Sequence, residues 1–229
     1  MNKKLAVVAL SGGLDSCVTT AIACRDYEVA LLHINYGQKT ESRELDSFHK
    51  IAEFYEITKK LVIDFSHFHK IGGSSLTDKS MEIEKADLEN KNIPNTYVPF
   101  RNANILSACV SWAEVIQAEA IFIGAVNEDS SGYPDCRPEF FHSFQQTVNL
   151  GTKPKTNIKI ETPIINLNKV EIIKLGLELN TPLELTWSCY GNEKEACGVC
   201  DSCALRLRGF QSAGVVDPIP YKEIPNYTK

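Results

Sequence analysis

Residues 5–16 read LAVVALSGGLDS, an apolar run closed by paired glycines and followed by an aspartate. Six apolar residues at 5–10 predict a first strand, and the glycines then fall where that strand turns into a helix. The open N–H groups at such a helix start attract anions. The loop departs from both common phosphate motifs, having neither a lysine for terminal phosphates nor the third glycine of a dinucleotide fingerprint. It carries Asp15 instead. A carboxylate beside polyphosphate is repelled unless a divalent cation lies between them, which points to Mg²⁺. The competing interpretation is a tight turn, capped by Ser11 or Asp15, that binds nothing.

Outward from this loop, short apolar runs alternate with segments of helical period, the pattern of a mostly parallel sheet covered by helices. Strands are expected at 5–10, 29–34, 60–65, 120–126 and 158–162, and helices at 14–25, 41–56, 102–117, 138–150 and 169–179. Asn168 lies three residues ahead of Glu171, as in a capping box. From 66 to 95 the pattern weakens into GGSS and polar residues, an insertion that serves either as a lid or as a solvated excursion. The expected organisation is an α/β domain over 1–185, with that insertion, and a small module over 186–229.

The chain has 229 residues, 43% hydrophobic and 23% charged, with a formal net charge of -5. That balance offers no global positive field for a nucleic-acid backbone, and no window approaches the roughly 18 apolar residues of a membrane span. With no leader pattern at 1–13, a cytoplasmic protein is expected.

Four of the eight cysteines crowd into SCYGNEKEACGVCDSC at 188–203. Cys189, Cys197, Cys200 and Cys203 have the spacing C-x7-C-x2-C-x2-C, and four thiolates close a tetrahedral shell around Zn²⁺ with no position left for water, hence a structural zinc. An iron–sulfur cluster and plain buried thiols compete with that interpretation. Cys17, Cys24 and Cys109 read as small core residues. No histidine shows ligand spacing, and HFH at 67–69 is expected in a loop.

The run SGGLDS after an apolar strand resembles the pyrophosphate-binding loop of the PP-loop, or N-type, ATP pyrophosphatase family. The resemblance implies a Rossmann-like, doubly wound fold with ATP bound by Leu10, Ser11, Gly12, Gly13, Leu14, Asp15 and Ser16. It implies cleavage between the α and β phosphates, so that the electrophile is the α-phosphorus and a lysine for the γ-phosphate becomes less necessary. Further stretches resemble the 7-cyano-7-deazaguanine synthase branch of that family. They are INYGQ at 34–38 with Glu41 and Glu44, NTYVPFRN at 95–102, GAVNEDSSGYPDCRPEF at 124–140, and ETPIINLNK at 161–169 running into the cysteine cluster.

This second resemblance spans nearly the whole chain and implies a carbon–nitrogen ligase of queuosine biosynthesis, acting on 7-carboxy-7-deazaguanine, ATP and ammonia as a homodimer. Adenylation of the acid, amidation, and adenylation of the amide would end in a nitrile. A deazaguanine ring presents N1–H and a 2-amino group side by side, and one carboxylate accepts both. Glu128, Asp129 and Asp135 are the candidates, on the loop after the fourth strand where such folds bind ligands. Arg101 and Arg137 are candidates for the substrate carboxylate or phosphate, Tyr133 for stacking on the ring, and Asn102 and Asn127 for further binding. Lys169 is a candidate for the charge at the α-phosphorus. Asp15, Ser16, Lys169 and Asp135 are thus the expected catalytic set, with Cys136 as pocket lining. The same acids are also common turn formers, and Arg101 and Lys169 sit where surface charges are ordinary.

Within the ATP family a tRNA thiolase is the alternative, opposed by the acidic balance. A glutamine-fed amidotransferase is disfavoured because no N-terminal cysteine nucleophile is present, and a non-catalytic nucleotide-binding protein is the other alternative, with SGGLDS together with GYPDCR weighing against it.

Overall fold

Ala6, Val7 and Val8 are all fully buried, in succession rather than in alternation, so the opening strand is covered on both faces. The computed structural model describes residues 3–90, 92–127 and 132–228. Its strands are β1 (Lys4–Ala9), β2 (Tyr27–Asn35), β3 (Lys60–Asp64), β4 (Ala120–Ile123) and β5 (Lys159–Glu161). They form one sheet in the order β3-β2-β1-β4-β5, every pair parallel. The helices are α1 (Leu14–Asp26), α2 (Glu41–Phe54), α3 (His67–Ile71), α4 (Arg101–Ile116), α5 (Pro138–Gly151), α6 (Lys169–Glu178) and α7 (Asp201–Ala213).

The two sheet faces divide these helices. Cys17 and Ala23 of α1 and Phe48 and Ile51 of α2 pack with Ala6, Val8 and Leu31. On the other face Leu106 and Cys109 of α4 and Phe141 and Val148 of α5 pack with Val7, Leu32 and Ile121. From β1 the chain winds outward to β3, then returns through α4 to β4 on the opposite side of β1. The loops leaving β1 and β4 therefore diverge, and a crevice opens at the carboxyl ends of these strands.

The fourth strand is shorter than its apolar run at 120–126. It stops at Ile123 because Gly124 passes against the glycine loop: a Cβ there would lie 2.9 Å from the Asp15 carbonyl oxygen and the Ser16 nitrogen. Gly124→Ala is expected to cost about 1–3 kcal/mol by overpacking against backbone that has no rotamer to yield. Urea denaturation checks the stability cost, and equilibrium nucleotide binding should weaken with it.

Two further differences lie outside the sheet. HFH opens the short helix α3 rather than a loop. The insertion then docks on the cysteine module, where the Ala86 N–H donates to the Val199 carbonyl at 2.8 Å and Ile83 packs with the cysteines. Helix α7, which is not among the helices expected from the sequence, carries two of the cysteine cluster's neighbours, Ser202 and Arg206, to the crevice.

Candidate functional site

At the switch point lies a cavity of about 280 Å³, with the glycine loop on one side and aromatic residues on another. The loop is shaped by its own hydroxyls. Ser11 Oγ accepts the Gly13 N–H at 3.2 Å, and Ser16 Oγ donates to the Gly13 carbonyl at 2.9 Å. Ser11 thus braces Gly13 before the helix, but among the described residues no side chain caps the start of α1 itself, which leaves its first-turn N–H groups open toward an anion. Gly12 has φ +89°, and a Cβ on it would meet the Glu44 carbonyl oxygen at 2.5 Å. Only glycine meets both demands. The Gly12 carbonyl in turn accepts the Trp187 N–H at 2.9 Å, tying the loop to the C-terminal segment.

Across the loop stands the lysine it lacks locally. Lys169 Nζ donates to both carboxylate oxygens of Asp15, at 2.7 and 2.8 Å, over 154 residues of chain. Lys169 is the first residue of α6, and the capping box expected there is complete. The Glu171 N–H donates to Asn168 Oδ1 at 3.1 Å, and the Asn168 N–H donates to Glu171 Oε2 at 2.9 Å. From the far side α7 closes on the lysine stem at Gly209, where a Cβ would come within 2.5 Å of Lys169 Cγ.

The other predicted residues fall into three groups. Arg101 and Tyr133 reach the cavity. Arg101 Nη1 donates to the Tyr36 hydroxyl at 3.0 Å, and Tyr133 shares a hydrogen bond of 2.9 Å with Thr96 Oγ1. Asn102 and Cys136 also line the wall, but Asp135 turns away from it. Buried, it accepts the Asn102 N–H through Oδ2 at 2.8 Å, while Asn102 Nδ2 donates to the Asp135 carbonyl. Burial, with the Asp135 charge beside it, pushes the Cys136 thiol up to about 11, as expected of inert lining. Arg137 is exposed at the start of α5, and Asn127 is exposed just beyond β4, where its N–H donates to the Ile165 carbonyl. Glu128 and Asp129 lie outside the described residues.

Sequence reasoning gave no role to Tyr36, Glu44, Ser188, Tyr190 or Arg206, all of which line the cavity. Tyr36 and Glu44 stand in stretches already singled out, and Ser188 and Tyr190 flank Cys189. Position beside a motif was the available signal. Arg206 left none: it is fully buried in α7, paired with Asp217 at 2.7 Å and donating to Thr186 Oγ1.

The sulfur atoms of Cys189, Cys197, Cys200 and Cys203 all lie within 4.8 Å of one another. Cys197 and Cys203 Sγ are 3.8 Å apart, the edge length of a tetrahedron of sulfurs about 2.3 Å from a central zinc. Backbone N–H groups point at the same atoms: those of Val199 and Cys200 at Cys197 Sγ, and that of Cys197 at Cys189 Sγ. Hydrogen bonds from the Cys189, Cys200 and Cys203 thiols hold Cys197 far below the usual thiol range. The donor set is that of a thiolate-held cation.

A parallel, doubly wound sheet with an uncapped glycine loop at its switch point defines a Rossmann-like α/β protein of the PP-loop kind. A family model described as "Queuosine biosynthesis protein QueC" matches residues 5–214, and the chain belongs to that family. It is 61% identical over 223 residues to the 7-cyano-7-deazaguanine synthase of Chloroherpeton thalassium, covering 97% of this chain and 99% of that one. To the synthase of the same name from Acidobacterium capsulatum it is 55% identical, covering 96% and 97%. In fold it is similar to the U34-tRNA thiolase NcsA from Methanococcus maripaludis, solved with its [4Fe-4S] cluster, at a TM-score of 0.50 and 16% identity. That match covers 79% of this chain and 58% of the thiolase. Among the described residues no helix is long and apolar enough to cross a membrane.

Proposed function

We propose that the protein converts 7-carboxy-7-deazaguanine and ammonia to 7-cyano-7-deazaguanine, using two ATP. The observation that carries this reading is that one cavity joins two unlike ends: open helix N–H groups beside Lys169, and an aromatic wall of Tyr36, Tyr133 and Tyr190 with the Arg101 guanidinium. The first end suits a leaving pyrophosphate and the second a flat, carboxylated heterocycle.

In the first half, Arg101 holds the substrate carboxylate, whose oxygen attacks the α-phosphorus while the bond to pyrophosphate breaks. Lys169 stabilises the charge developing there, and the α1 N-terminus with Ser11 and Ser16 holds the departing pyrophosphate. Asp15 would hold a Mg²⁺ ion, which would supply charge neutralisation at the phosphates. Ammonia then adds to the acyl carbon and AMP leaves, giving the amide. In the second half the amide oxygen attacks the α-phosphorus of a second ATP as its bond to pyrophosphate breaks, and loss of AMP and of the two nitrogen protons leaves the nitrile. The four cysteines would hold a structural zinc, and the segment they anchor carries Ser188 and Tyr190 into the cavity wall. None of the eight cysteines is in a disulfide, which suits a reducing compartment, and we place the protein in the cytoplasm.

The test is the nucleotide product. With 7-carboxy-7-deazaguanine, ammonium and Mg²⁺ present, ATP is expected to yield AMP and pyrophosphate. ADP and phosphate would refute the assignment.

A further inference from the structure

Among the described residues the cavity is lined by two carboxylates, Asp15 and Glu44. Asp15 is paired with Lys169, whereas no lysine, arginine or histidine nitrogen among the described residues comes within 4 Å of Glu44. Glu44 lies in the first turn of α2, which the Gly12 contact presses against the phosphate loop. It therefore sits beside the place where an acyl adenylate would form.

The hydrogen bonds around this carboxylate fix its protonation role. Thr40 Oγ1 donates to Oε1 at 2.7 Å and Gln38 Nε2 donates to Oε2 at 3.1 Å. The Gln38 amide has one orientation, because its Oε1 accepts the Tyr36 N–H at 2.9 Å. Both Glu44 oxygens are thus acceptors in the resting molecule, and the basic form has its partners in place. Burial works against that form and raises the carboxyl to about 7, opposed by the Thr40 and Gln38 hydrogen bonds and the Arg101 charge. Arg101 on α4 and the Tyr36 hydroxyl after β2 face Glu44 across the cavity, and Glu41 lies beside it on α2. The guanidinium donates to Tyr36 rather than to Glu44. What remains is a basic carboxylate, open to the cavity and, among the described residues, without a cation within 4 Å.

A small cation rich in N–H donors, ammonium, matches that vacancy in charge and in hydrogen bonding. Ammonium is not a nucleophile until it loses a proton, and a base that titrates near neutrality is the efficient acceptor for it. We propose that Glu44 binds the incoming ammonium and takes its proton, releasing ammonia onto the acyl adenylate. One proton goes to Glu44. The new C–N bond forms, the C–O bond to AMP breaks with its electron pair, and the second proton passes from the adduct nitrogen to water. Glu44 returns its proton to solvent before the next turnover. The assignment rests on the proposed synthase reaction.

Glu44→Gln and Glu44→Asp, compared with the unaltered protein, test it. Exchange of labelled pyrophosphate into ATP, driven by the deazaguanine acid without ammonium, reads adenylation alone and is expected to survive in Glu44→Gln. Ammonium-dependent amide formation is expected to fall about 10²–10⁴-fold, the usual worth of a general base. The rate of the unaltered protein should level off once Glu44 is ionised, whereas in Glu44→Gln the residual rate should keep climbing with free ammonia as pH rises, and the levelling should return in part in Glu44→Asp. Hydroxylamine, already unprotonated at neutral pH, should still give the hydroxamate. Equal loss with both nucleophiles, unchanged amide formation, or lost exchange with a raised KM for the acid would each overturn the assignment, the last in favour of ring recognition by Glu44. Failure of the unaltered protein to exchange pyrophosphate would remove the synthase reading as well.

Discussion

Asp15→Asn is expected to lower the rate of AMP release about 10²–10³-fold, the loss typical of removing one preorganised charge from a transition-state site. The substitution preserves shape. Asn still reaches Lys169, but it no longer balances the ammonium at 2.7 Å or offers Mg²⁺ an anionic ligand. Because the pair opens on the cavity and is partly exposed, its contribution to folding is under about 1 kcal/mol, and urea midpoints should scarcely move. Lys169→Met is the companion, expected to lose turnover to a similar degree while Asp15 stays to hold Mg²⁺. Both are read by AMP release under saturating ATP together with urea denaturation. Full turnover in Asp15→Asn would remove the Mg²⁺ argument, and a collapsed urea midpoint would make the pair structural.

Cys203→Ser is expected to release the metal and destabilise the protein by several kcal/mol. The free energy of metal binding becomes folding free energy in such sites, of order 10 kcal/mol in small zinc modules. Cys203 is fully buried in the first turn of α7, the helix whose Arg206 bonds Thr186, Ser188 and Asp217. Loosening that turn frees the segment whose Trp187 N–H holds the Gly12 carbonyl, so ATP use should fall along with stability. Elemental analysis is expected to find about one zinc per chain before the substitution and none after it. Retained zinc, or iron in place of zinc, would contradict the assignment.

The parts legible in the sequence are the local ones. The apolar run, the paired glycines and the first helix follow one another within 26 residues, and the Asn168–Glu171 capping box needs only a spacing of three. The cysteine spacing likewise reports its own geometry. What escaped depends on distant segments meeting. The Asp15–Lys169 pair joins ends of the chain that only the approach of α6 to α1 brings together. Glu44 belongs to a recognisable stretch of sequence, but its place in the cavity depends on Gly12 admitting α2 against the loop. Asp135 has the residue type that would read a purine-like edge, yet its carboxylate serves the start of α4. Arg137 stands next to a cavity residue and points outward, because a short helical turn at 134–136 sets Cys136 on the inner side. Arg206 was invisible because a buried arginine looks, in sequence, like any other charge on a helix.

The most direct test of the central claim follows the nitrogen. With isotopically labelled ammonium, 7-carboxy-7-deazaguanine and ATP, mass spectrometry is expected to find labelled 7-cyano-7-deazaguanine, with two AMP formed for each nitrile. A reaction that leaves the acid unchanged, stops at the amide with ATP still in excess, or yields an unlabelled nitrile would contradict it.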